Sequence, residues 1–244
     1  MIKLYRYEIK HYLTDKVFII LTVITGIYSW FTLTSDTILG VANTAPFSPW
    51  SFGGYLASVL PFCLACLLAL IATMHSADAK LTEEITAATP MDGRRRVLLR
   101  LGAVYTGFIV LLILVVAMAL VFYYRIFGVM NVGSLFAPLA FAVIPGLLVV
   151  TGAAMNMGRL NSGGIYALMA LLMLYGLVSG DSVLPGALDL FGGGFFRSFP
   201  KIIDGVDPAF SVPADMLLSR LVLTLLGLIG MGAAVRAFGK AKRG

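Results

Sequence analysis

Six long apolar runs, joined by short connectors that hold most of the charge, set the pattern of this chain. The runs cover roughly 17–33, 55–74, 97–123, 132–157, 163–180 and 217–235. About 20 consecutive apolar residues bridge the ~30 Å hydrocarbon core of a bilayer as a helix. These runs are continuous rather than alternating, and lipid offers backbone groups no partners, so six transmembrane helices are expected and not a barrel. The third and fourth runs exceed a bilayer core, which predicts tilt or extension past the lipid.

Three stretches lie outside the runs. In residues 1–16, MIKLYRYEIKHYLTDK, the apolar Ile2, Tyr5, Ile9, Tyr12 and Leu13 recur at helical spacing, while Lys3, Arg6 and Lys10 fall on other faces. That predicts an amphipathic helix in the cytoplasmic interface, leading into the first span. Residues 80–93 predict a short helix up to Thr89, ended by Pro90, because the proline ring disfavours helix at the preceding residue. A turn is expected to follow, with Asp92 placed to cap the third span. Residues 181–215 mix Phe, Leu and Ile with Gly and Pro, too apolar for a solvated loop. They predict short interfacial or re-entrant outer helices, broken at residues 192–194 and at Pro200.

Composition agrees with one membrane domain over 1–244. The chain is 59% hydrophobic and 12% charged, against about a quarter charged in soluble domains. The net charge of +6 gathers in connectors, where it orients spans, and predicts no nucleic-acid partner. Of the 18 Lys and Arg, only Arg125, Arg197, Lys201 and Arg220 fall on the outer side in this arrangement. Both termini are therefore expected in the cytoplasm, with Trp30 and Trp50 near the outer interface.

The spans hold few ionisable residues: Arg100 near the start of the third, Asp215 and Arg220 at the entry to the sixth. That argues against a proton relay, a voltage sensor or a channel with charged rings. Glu83 and Glu84 begin the Glu-Glu-x-x-x-Arg motif of CAAX-type intramembrane proteases, but Ala88 stands where the Arg belongs, and His11 and His75 both precede the third span. Cys63 and Cys66 share a helix face with no His or carboxylate evident to complete a metal site, and read as packing residues. Gly239, Lys240 and Ala241 lack the glycine-rich lead and Ser/Thr of a phosphate loop. The chain is thus expected to hold no catalytic centre and no cofactor of its own. Gly227, Gly230 and Gly232 are expected to allow close helix packing.

The stretch EEITAATPMDGRRRVLLRL resembles the cytoplasmic loop of ABC-2-type transporter permeases, with Glu84, Thr89, Pro90 and Arg100 matching by position. Leu81 stands where that family often has Gly, and Gly93 where it often has Arg, with Arg94 one place later. The layout of interfacial helix, six spans and apolar outer segment extends the resemblance over the whole chain. It implies a bacterial inner-membrane exporter subunit, paired with a second permease copy or a paralogue. Each permease would dock a separate ATP-binding cassette subunit that binds ATP and Mg. Residues 80–93 would form the coupling helix and turn, with Glu83, Glu84, Thr89, Pro90 and Arg94 at the ATPase contact. Residues 1–16, carrying Lys3, Arg6 and Lys10, would be the elbow helix. The first, second and fifth spans would face the dimer centre, and the outer segment would form the exit gate. Spans without counter-charges point to an apolar or amphipathic cargo, such as a lipid, a drug-like molecule or a hydrophobic peptide. The alternative in another class is a structural or sensory membrane protein whose loop docks a different partner.

Overall fold

A computed structural model describes residues 2–42, 44–76, 93–129, 131–179, 189–201 and 209–240. Regular structure among them is helical, with no strand. The helices are α1 (Ile2–Leu13), α2 (Lys16–Ser35), α3 (Pro49–Met74), α4 (Gly93–Phe127), α5 (Phe136–Leu160), α6 (Gly163–Ser179), α7 (Gly193–Ser198) and α8 (Ala214–Lys240). Among the described residues, five helices (α2, α3, α4, α5 and α8) are long and apolar enough to cross a membrane. The fifth apolar run, α6, has 17 residues, about 26 Å of helix.

Local signals set the helix ends. Asp15 caps α2, its Oδ1 accepting from the amides of Val17 at 2.7 Å and Phe18 at 3.2 Å. α3 begins at Pro49, six residues before the start expected from hydropathy. Ser48 Oγ accepts from the Ser51 amide at 3.1 Å, and a proline just inside a helix start loses no hydrogen bond. Arginines precede the apolar part of α4, whose 35 residues reach about 52 Å.

α3 is the axis of the fold. Helices α2, α4, α5, α6 and α7 all pack on it, and nearly every α3 side chain is buried. The resemblance placed the second span at a dimer centre; α3 is instead enclosed by its own chain. The other two spans named there, α2 and α6, do expose apolar side chains, including Ile20, Ile27, Phe31, Tyr166 and Leu171. α2 turns a different face inward. Thr25, Ser29 and Thr32 are buried there, with Thr25 Oγ1 donating to Leu21 O at 2.8 Å and Thr32 Oγ1 to Tyr28 O at 2.9 Å. Ser29 bonds Tyr55, whose hydroxyl also donates to Val115 O on α4 at 3.1 Å. Cys63 and Cys66 are both buried in this core, with Cys66 Sγ 3.5 Å from Thr25 Oγ1.

α5 and α8 make the closest helix pair. A Cβ on Gly227 would lie 2.5 Å from the backbone carbon of Leu148, and one on Gly152 would lie 2.8 Å from Gly227 O. Asn156 Nδ2 donates to Gly230 O across the seam at 2.8 Å. Gly227 and Gly230 thus serve close packing, as expected. Gly232 does not: nothing lies within 4 Å of a Cβ there.

Candidate functional site

Two clusters of polar side chains stand out, one at each end of the bundle. The first joins α1 to the beginning of α4. Lys3, Arg6 and Lys10 are exposed, whereas Glu8 and Tyr12 are buried and Tyr5, Ile9 and Leu13 are half-buried. The amphipathic division expected of this helix is present, and its inward face rests on α4. Glu8 Oε1 accepts from Arg100 Nε at 3.2 Å, both side chains being nearly enclosed. One helical turn away, the Tyr5 hydroxyl meets Thr106 Oγ1 at 2.7 Å. Burial pushes the Tyr12 hydroxyl pKa upward, and the nearby Glu8 carboxylate pushes it the same way. Glu8 is a member of this cluster that its sequence position did not single out. The signal was there: a lone acid on the apolar side of an otherwise basic helix.

Arg94 and Arg95 are exposed on the first turn of α4, and Arg96 is buried. Glu83, Glu84, Thr89 and Pro90 lie outside the described residues, as does the Asp92 cap. Beside α4, the ends of three helices converge. His75 caps α3, with Nδ1 2.9 Å from Ile71 O. Gly158 of α5 faces its ring, where a Cβ would approach to 2.8 Å. Phe238 of α8 lies 6.0 Å from the His75 ring, and the Arg159 guanidinium sits over Phe238 at 5.5 Å.

The second cluster is at the opposite end, in the outer segment. Gly192 takes φ +80, a left-handed conformation that glycine adopts without steric cost. Its turn lets the buried Asp189 reach forward, and Asp189 Oδ2 accepts from the Phe195 amide at 3.1 Å. The expected break at residues 192–194 is therefore confined to Gly192, while Gly193 and Gly194 begin α7. Pro200 sits in a 3-10 turn that continues from α7. Phe195, Phe196, Phe199 and Phe210 surround the Trp50 ring at 5.1–6.4 Å between centroids. Trp50 is 0% exposed, so it is a core anchor rather than the interfacial aromatic its position suggested; Trp30 remains exposed. Phe196 fits because Gly53 has no side chain: a Cβ there would come within 2.0 Å of the Phe196 ring.

Arg220 lies behind this aromatic plug. It is 4% exposed, six residues into α8. Its Nη1 donates to Leu190 O at 3.0 Å, its guanidinium lies 4.5 Å from the Phe141 ring centre, and Nη2 is 4.0 Å from Asp189 Oδ2. Spans nearly free of charge were expected, and Arg220 was placed only at a span entry. The fold encloses it with an acid from the outer segment. A charge buried in an apolar helix needs such a partner, but nothing in sequence spacing selects Asp189. Among the described residues, no three His, Cys, Asp or Glu side chains gather where a metal could bind.

The chain matches no protein-family model, no curated protein and no solved structure.

Proposed function

We propose that this chain is the membrane permease subunit of an ATP-driven ABC exporter of the ABC-2 type. In this reading α6 also spans the membrane, as the fifth of six spans, both termini face the cytoplasm of a bacterial cell, and a second permease copy or paralogue completes the pathway. A separate cassette subunit binds ATP and Mg. It docks on residues 80–93 through Glu83, Glu84, Thr89, Pro90 and Arg94. The cargo is apolar or amphipathic.

The observation that supports this best is the clasp between α1 and α4. The stretch resembling a coupling helix is followed directly by α4, and the first turns of α4 are tied to α1 by Glu8–Arg100 and Tyr5–Thr106. Force applied to residues 80–92 would reach α4 through the chain and α1 through the ion pair, moving both as one lever. A packed bundle with two arrangements converts such a push into opening of a pathway. Residues 189–201, folded against α3, supply a compact piece at the other end suited to act as an exit gate.

The deciding experiment expresses the tagged full chain with its neighbouring genes, purifies it in mild detergent and identifies co-eluting proteins by mass. A stoichiometric nucleotide-binding subunit, lost on Glu84→Lys while membrane insertion is unchanged, is the expected result. Elution alone or with a partner that is not an ATPase would overturn the proposal and favour the structural or sensory alternative.

A further inference from the structure

α1 turns its apolar side to protein rather than to lipid. Tyr12 is buried in the main core, Tyr5, Ile9 and Leu13 pack against it, and α4 is the chief neighbour of the helix. An interfacial helix held by insertion of its apolar face needs that face free; here it is taken. What α1 turns outward is charge. Lys3, Arg6 and Lys10 are exposed and share an arc of about 60° at the helical repeat. Tyr7, 68% exposed, borders this stripe, its ring stacked on that of His11 at 6.4 Å.

The stripe carries undiluted positive charge. Glu8 is the one acid in α1, and it faces inward to Arg100. Among the described residues no acid pairs with Lys3, Arg6 or Lys10. Its depth is set by the next helix. Only Thr14 and Asp15 separate α1 from α2. Lys16 is exposed at the first turn of α2, and Val17, Ile19 and Ile20 follow it with their apolar side chains outward. α1 therefore sits where α2 enters the hydrocarbon, at the level of lipid headgroups, where an exposed tyrosine also belongs. A zwitterionic headgroup would bring its own ammonium against the stripe; an anionic one brings phosphate without it.

We propose that the stripe formed by Lys3, Arg6 and Lys10 binds the headgroups of anionic phospholipids. Through Glu8–Arg100 and Tyr5–Thr106, lipid held there also fixes the start of α4 at the membrane surface. No ATP-binding subunit is involved, so the inference stands or falls separately from the exporter reading.

The test is native mass spectrometry of the full chain in mild detergent, titrated with dioleoyl phosphatidylglycerol and dioleoyl phosphatidylcholine. The anionic lipid should bind at least about fivefold more tightly, the worth of one Lys or Arg at an anionic surface. The combined variant Lys3→Gln, Arg6→Gln, Lys10→Gln should bring the two lipids level. Arg125→Gln, which removes an exposed cation from the far end of α4, should leave the preference unchanged. Equal binding of the two lipids by the unaltered protein would overturn the proposal. So would a preference that survives the combined variant, or one lost equally with Arg125→Gln, which would mark attraction to net charge alone. Displacement of the lipid by excess glycerol phosphate would also overturn it, by marking a site for a soluble phosphate. The lipid comparison needs no variant, so a misfolded mutant would not rescue the idea.

Discussion

α3 and α8 are both apolar helices of membrane-spanning length, yet the protein uses them in opposite ways. In the most apolar stretch of α3, 83% of residues are buried in the protein, against 11% for α8. Hydropathy does not separate them; the distribution of small residues does. α3 carries Gly53, Gly54, Ala57, Cys63, Ala65, Cys66, Ala69 and Ala72 around its circumference, and neighbours approach from every side. α8 meets α5 closely at Gly227 and Gly230, and presents Leu217, Leu218, Leu221, Leu225 and Leu226 outward. In lipid, apolar surface gains little by leaving the solvent, so close packing and internal polar contacts decide which helix is central.

That contrast can be broken at graded cost. Trp50→Ala, at the head of α3, empties the plug and should destabilise the protein by about 3–5 kcal/mol, read as an earlier unfolding midpoint in detergent titrated with SDS. Gly227→Leu forces side-chain atoms against the backbone of Leu148 and Val149. Overpacking of this kind costs about 1–3 kcal/mol, and crosslinking between α5 and α8 should report the helices spreading. Glu8→Gln keeps an acceptor for Arg100 but removes the charge, a loss of about 1 kcal/mol; amide exchange in α1 should quicken while α3 stays protected. Leu225→Ala, on the exposed face of α8, should change stability by less than about 0.5 kcal/mol. A large loss there would mean that this face is covered by protein rather than lipid, and would sharpen the search for a second copy.

Much of the frame was legible from the pattern of residues. Helix type followed from continuous apolar runs, and the inward face of α1 from Tyr5, Ile9, Tyr12 and Leu13. The early start of α3 was written in Ser48-Pro49, although hydropathy alone placed it later. Of the proposed coupling residues, Arg94 is exposed on α4, and the elbow cations Lys3, Arg6 and Lys10 are exposed as their spacing required. Trp50 shows the limit of such reasoning. A tryptophan near the end of an apolar run has the same signature whether lipid headgroups or four phenylalanines surround it. Only Gly53, three residues on, hinted that another chain segment comes close.

By itself the sequence determined what is local: which segments are helical, where Asp15, Ser48, Pro49 and Gly192 start or bend them, and which face of α1 is polar. Those outcomes depend on neighbours a few residues apart, bound by backbone hydrogen bonds and the helical repeat. The tertiary structure alone decided which apolar helix became the axis, that Glu8 meets Arg100 across 92 residues, and that Asp189 meets Arg220. Those pairings depend on shape and on the cost of leaving a charge without a partner in a medium without water. That cost is resolved only once the helices have packed.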